Sequence, residues 1–274
     1  MPHPALASRA GHAGTAPGAS AWRLVAVATL TAAAPVAAHA AELTLEPAAD
    51  ASIHASAGTA APLADGSGGY LWLSTTAEGL VRRALLRFDL SPVPAGAVVR
   101  QAQLVLYESR SRTNHAVTLH RVLQAWSEGP SDSGASGAGV PPVAGDVTWA
   151  NAVHPAQAWA QPGGAFDAVA SASLVVGLPN QTYTWGSTAA MVADVQRWVD
   201  QPAANHGWIL IGDETTQQSA KRFESRQNTV GVNRPRLRVV YDLPSDLSSD
   251  VPLPPWAALV AAALLAARLR QRRT

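Results

Sequence analysis

From Tyr70 to Asp242 the chain alternates short apolar, β-branched runs with breaks of Gly, Pro, Ser and Asp. That spacing predicts the strands of a sandwich or barrel. The runs Tyr70 to Ser74, Val81 to Leu90, Val98 to Tyr107, Val117 to Val122, Gly207 to Gly212, Ala220 to Glu224 and Arg236 to Asp242 are the clearest. In two of them the period is two. Leu104 and Leu106 alternate with Gln103, Val105 and Tyr107, and Leu237, Val239 and Tyr241 with Arg236, Arg238 and Val240. Such alternation predicts strands with one buried and one wet face. A different period runs from Ser187 to Asp200, where Met191, Val192, Val195, Trp198 and Val199 recur at helical spacing. Ser187 or Thr188 is placed to cap this helix and Gln201-Pro202 to end it. A Gly, Ser and Pro-rich stretch, Ser127 to Asp146, reads as a mobile loop. No internal repeat divides the body.

The two ends follow other rules. Arg9 and Arg23 precede an apolar segment, Leu24 to Ala34, then Pro35 and Ala38-His39-Ala40. This basic region, apolar core and small-residue cleavage site predict an export leader over residues 1–40. The body is expected over 41–243 and a Pro/Ser-rich linker over 244–255. A short apolar helix with a basic tail, Arg268, Arg270, Arg272 and Arg273, is expected over 256–274. A proline-rich motif, apolar helix and Arg cluster in that order resemble the C-terminal sorting signals of bacterial surface proteins, which a membrane protease removes. The expected address is therefore the bacterial cell envelope, the cell surface or the extracellular space, with a membrane contact through the terminal helix.

Removing the ends changes the charge. No Asp or Glu lies in residues 1–40 or 251–274, so the body carries 14 positive and 19 negative residues, a net of −5. Nucleic acid binding through bulk charge loses its support. The chain has no cysteine, which excludes disulfides, thiolate metal sites and thiol nucleophiles. A body of this length buries enough surface to fold without staples.

Tryptophan supplies the first candidate chemistry, because an indole face can lie against the apolar face of a sugar ring. Trp126, Trp149 and Trp159 flank the Gly-rich loop and are the best candidates for an open platform, while Trp72 alternates with leucines and Trp198 and Trp208 read as core. Arg82, Arg83 and Arg87 on one strand, and Lys221, Arg222 and Arg226 near another, could take the carboxylates of uronic acids, against the plainer use of pairing with Asp89, Glu224 or Asp213. On a strand Arg83 and Arg87 share a face and Arg82 opposes them. The expected ligand-binding set is Trp72, Arg83, Arg87, Trp126, Trp149, Trp159 and Arg222. A structural calcium would draw on the loop carboxylates Asp50, Asp65 and Asp242. For catalysis, His115, His120, Tyr107 and Tyr183 are the available bases for a lyase, but no nucleophile elbow, phosphate-cradling loop or helical histidine pair is present.

Taken as ordered blocks, residues 83–91, 94–97 and 102–107 resemble the core of the DNRLRE domain family. Residues 117–122 with Gln124-Ala125-Trp126, Val147-Thr148-Trp149, 163–167, Val195 with Trp198, Gly207-Trp208 and Asn233-Arg234-Pro235-Arg236-Leu237 follow in that family's order. The resemblance spans about Asp50 to Tyr241. It implies an all-β, jelly-roll-like antiparallel β-sandwich, here with one short amphipathic helix at about 187–200. Some members of that family are classed as carbohydrate-binding modules for acidic polysaccharides such as alginate; others sit in surface or matrix proteins. The expected function is a non-catalytic, envelope-anchored domain that binds extracellular polysaccharide. A structural matrix protein is the alternative, and a polysaccharide lyase or hydrolase the third reading.

Overall fold

The structure is a computed structural model that describes residues 40–55 and 61–244. The expected leader, apart from Ala40, and the expected linker and terminal helix, apart from Pro244, lie outside these residues. Among the described residues no helix is long and apolar enough to cross a membrane.

In chain order the elements are β1 (Ala40–Leu45), β2 (Pro47–His54), β3 (Leu63–Asp65), β4 (Tyr70–Thr75), β5 (Val81–Phe88), β6 (Val98–Arg110) and β7 (His115–Val122). There follow β8 (Asn151–Val153), β9 (Gln157–Ala158), β10 (Phe166–Val176), β11 (Gln181–Trp185), α1 (Ala189–Asp200), β12 (Trp208–Ile211), β13 (Lys221–Glu224) and β14 (Arg236–Asp242). All seven predicted runs form strands and the predicted helix is α1. The fold is all-β and antiparallel, a curled, sandwich-like sheet consistent with the jelly-roll expectation.

The two halves of the sandwich meet at β4. Leu71 to Leu73 pair with β13, whereas Ser74 and Thr75 pair with β5. The switch falls on Ser74, whose φ of 69° is a left-handed conformation that non-glycine residues seldom adopt. Gly212 makes room for it, since a Cβ there would lie 1.9 Å from the Ser74 hydroxyl. One half runs β1-β14-β6-β13-β4 with β11 also on β6; the other joins β2, β5, β12, β7 and β10.

Strand parity then explains two cores. Ala84, Leu86, Trp208 and Leu210 point between the halves, into the main core with Leu104, Leu106, Phe223, Leu237 and the apolar face of α1. Their odd neighbours Leu85 and Ile209 point outward into a second core with Ala49, Ala51, Ile53, Val122, Trp126, Val147 and Trp159. The wet face expected of the alternating strands is therefore absent from β5 and β12. Segment 123–165 folds back over that face, and the continuous runs Ala84-Leu85-Leu86 and Trp208-Ile209-Leu210 are the sequence trace of burial on both sides.

Helix α1 is capped by Thr188, whose hydroxyl accepts the Met191 N–H at 3.1 Å. It is fixed to the sheet by a polar contact. The buried Asp194 accepts Trp208 Nε1–H at 2.8 Å, the Ser171 hydroxyl, and Arg121 Nε–H at 3.0 Å. Beside it Trp198 packs edge-on against Trp208, with centroids 4.5 Å apart. Replacing Asp194 by Ala leaves the Arg121 Nε–H and the Trp208 indole N–H without their acceptor, while Arg121 keeps Asp167. The variant is expected to lose about 3 kcal/mol of unfolding free energy in urea titration. A loss below about 1 kcal/mol would contradict the anchoring role.

Candidate functional site

The register of β4, β13 and β6 sets Trp72 opposite Arg222, and Arg222 opposite Arg110. Directly opposed residues share a face and lie within side-chain reach. Leu71, Leu73 and Phe223 on the alternate positions point into the main core, so Trp72, Arg222 and Arg110 face the other way. Arg82 of β5 reaches the same indole. Its guanidinium carbon lies 5.2 Å from the Trp72 ring centroid, and that of Arg222 lies 5.8 Å away. Arg222 also stacks on Tyr70 at 4.1 Å.

Trp72, Arg82 and Arg110 border a cleft of about 310 Å³, and Arg222 adjoins them outside its lining. Its lining includes Trp72, Thr76, Glu78, Arg82, Arg110, Ser111, Arg112, Ser136 and Gln218. The loop holding Gly137 closes one side of Trp72. Gly137 has a φ of 60°, and a Cβ there would sit 2.1 Å from the indole, so only glycine lets the backbone lie this close. The expected mobile loop is in fact tied down. The Ser131 hydroxyl and N–H donate to Asp146, the N–H groups of Gly66 and Ser67 donate to Ser131 O, and Arg226 pairs with Glu128 at 2.6 Å.

The charge balance of the cleft differs from that of the rest of the body. Arg83, Arg100, Arg121, Arg226, Arg234 and Arg238 are ion-paired to carboxylates. Among the described residues Arg82, Arg110, Arg112 and Arg222 make no such pair, and neither do Arg87, Arg197 and Arg236, which lie outside the cleft. The one carboxylate at the rim, Glu78, is held below its ordinary value by its own backbone N–H and by the Thr76 hydroxyl. Behind the wall lies Glu108, fully buried and opposite Phe223. Burial lifts its carboxyl to about 7, against the lowering influence of the Arg110 N–H, Lys221 and Arg222. The ammonium of Lys221, also buried, donates instead to the Ser111 hydroxyl at 2.8 Å and to Thr113 O.

The residues nominated from sequence fare unequally. Trp72 lines the cleft and Arg222 adjoins it; Trp72, which from sequence could face either way, is buried beside Arg82 and Arg222 and offers no open platform. Trp126, Trp149 and Trp159 form no open platform either, because they cover the outer core. Trp126 and Trp159 are buried and donate to His206 O and Thr148 O. Trp149 is half-buried beneath Arg83, 4.7 Å from its ring centroid. Arg83 grips Glu214 with two bonds of 2.6 and 2.9 Å and donates to Gly163 O, so its pairing partner is none of the carboxylates foreseen. Arg87 lies 5.6 Å from the Trp126 ring, outside the cleft. Arg82, Arg110 and Arg112 were not in the expected set. Arg82 was legible as opposing Arg83, but Arg110 and Arg112 lie past the predicted end of their strand.

The calcium expectation does not hold together as a trio. Asp50 and Asp65 face one another diagonally on β2 and β3, since Asp65 opposes Ser52. Asp242 sits at the end of β14, paired with Arg100 at 2.6 Å. Among the described residues no group of three or more histidine or carboxylate side chains is arranged to hold a metal. Burial pushes Asp50 well above its ordinary value, and Asp65 up as well. The candidate bases are dispersed too. His115 contacts Asp213 at 2.8 Å, His120 bonds Asp167 O and Thr118, and the Tyr183 hydroxyl donates to Leu178 O.

Residues 41–130 match carbohydrate-binding module family 96. The matched stretch carries Trp72, Arg82, Arg110 and Arg112. No curated protein matches the chain.

The lifted Glu108 sets a pH dependence of stability. Its folded value of about 7 exceeds the ordinary 4.5, so its contribution is most favourable below 4.5 and is lost as pH rises through about 7. Glu108→Gln is therefore expected to melt above the wild type at alkaline pH, with the gap closing toward acid. A gap that widens toward acid in pH-scanned thermal unfolding would contradict this sign.

Proposed function

We propose that this domain binds an acidic polysaccharide of uronate type in the arginine cleft, without turnover, at the exterior of a bacterial cell envelope. The observation that carries the reading is the register pairing of Arg110 with Arg222 beside Arg82 and Arg112, with no carboxylate bonded to any of them. Like charges directly opposed across strands destabilise a sheet. Arg87, Arg197 and Arg236 also lack a carboxylate partner, but here three such guanidinium groups line one cleft, which suits an anion from outside. Carboxylates spaced along a polymer match that row of guanidinium groups, each able to donate two parallel bonds. Glu78, Thr76 and Gln218 at the same cleft are suited to the ring hydroxyls. The similarity of residues 41–130 to a carbohydrate-binding module supports the ligand class. The leader and tail patterns support the exterior address. The reading omits turnover because the histidines and Tyr183 are each committed to separate structural contacts.

Titration calorimetry with oligouronates against uncharged oligosaccharides tests this reading. The oligouronates are expected to bind and the neutral sugars not, with affinity falling as salt rises toward about 0.5 M. Arg110→Ala combined with Arg112→Ala should weaken binding about tenfold or more, because each charge-assisted bond lost is worth about 1.5–3 kcal/mol. Arg87→Ala, outside the cleft, should leave it unchanged. Equal binding of neutral sugars, or an unaltered double variant, would overturn the assignment.

A further inference from the structure

Lys221 lies opposite Leu73 and shares the inward face of β13 with Phe223, while Arg222 between them faces outward beside the cleft. The Lys221 side chain is fully buried, and among the described residues no carboxylate forms an ion pair with its ammonium. Burying an ammonium in this way is costly unless other acceptors meet it. Nζ donates to the Ser111 hydroxyl at 2.8 Å and to the Thr113 carbonyl oxygen. Both acceptors belong to the turn between β6 and β7, residues 111–114, and they stand on either side of Arg112. Ser111 Oγ also donates to Thr113 O at 3.2 Å, which closes the turn on the ammonium. Arg112 is itself exposed and lines the cleft with Arg110 and Ser111. Ordering an exposed arginine on a moving backbone costs a ligand affinity. A turn gripped on both sides of Arg112 removes the backbone share of that cost before the ligand arrives.

We infer that Lys221 is a positioning residue of the cleft: from inside the sandwich its ammonium fixes the turn that presents Arg112, without touching the ligand. This rests on the acidic-polysaccharide reading and adds to that site a residue outside its lining. The arginines of the wall then share one base on β13. Arg110 is set by its register with Arg222, and Arg112 by the adjoining Lys221. An apolar side chain of similar length at 221 would fill the same space, yet Ser111 and Thr113 would keep only the bond between themselves. A lysine that served the core alone makes a different demand. Its loss would act through stability and weaken the contributions of the cleft arginines without distinction, whereas a lysine that holds the turn acts through Arg112.

The test is a double-mutant cycle on oligouronate affinity by titration calorimetry, with thermal unfolding recorded for every variant. Lys221→Met is expected to fold, because an apolar side chain of similar volume often replaces a buried charge without loss of stability. It should bind roughly three- to tenfold more weakly than wild type. Lys221→Gln, whose amide stops one atom short of the turn, is the second neutral variant should Met disturb the core, and carries the same expected loss. Placed on Arg112→Ala, either substitution should cost nothing further, since the side chain it positions is gone; placed on Arg82→Ala, it should still cost the full factor. Unchanged affinity in a folded Lys221 variant would overturn the inference, and so would a loss that persists undiminished on Arg112→Ala. A wild type that binds no oligouronate would sink the acidic-polysaccharide reading itself, and this inference with it.

Discussion

Arg110 and Arg222 face each other across β6 and β13 with no acid between them, and the surrounding structure is arranged to tolerate this. Repulsion between opposed cations is offset by aromatic faces. Arg222 lies over Tyr70 and Trp72, and Arg82 over the same Trp72, where the ring quadrupole attracts a guanidinium. Trp72 is in turn held by the backbone at Gly137, so the plate that carries two arginines does not move with them. This arrangement keeps the charges in place yet leaves their hydrogen-bonding edges largely unspent. It is the more notable in a body whose sequence carries a net −5, because carboxylates are plentiful and are paired elsewhere.

The second core and the cleft share one cause. Segment 123–165 must cross the outer face of β5 and β12 to bury Leu85 and Ile209, and it does so with Trp126 and Trp159. Residues 127–146 of the same excursion pass over Trp72 and are tied by Asp146 and Glu128. Covering a sheet face and building a wall of the cleft are thus consequences of one detour. That detour explains why indoles flanking a Gly-rich loop are structural.

Much of the fold was legible in the sequence. Short apolar runs between Gly, Pro, Ser and Asp breaks located seven strands, and helical spacing with Thr188 located α1. Among the strands that escaped, β2 is built mostly from Ala, Ser and Asp and carries little β-branched bulk of its own; it forms because its neighbours supply the pairing. The site was half legible. Arg222 and Trp72 were singled out, but alternation along a strand says nothing about which strands become neighbours. The Arg110 and Arg222 juxtaposition exists only through a register spanning more than a hundred residues, and the bulge between Arg222 and Phe223 that sets it leaves no local trace. Burial of Trp126 and Trp159 was equally hidden, because it requires knowing that both faces of β5 are covered.

The central claim is that the unpaired arginines of one cleft are where the ligand binds. Nitrogen-15 NMR of arginine Nε–H groups during titration with an oligouronate addresses it most directly. The account predicts saturable shifts for Arg82, Arg110, Arg112 and Arg222, with Arg83, Arg87 and Arg238 unmoved. Saturable shifts confined to arginines outside the cleft, with those four silent, would contradict it.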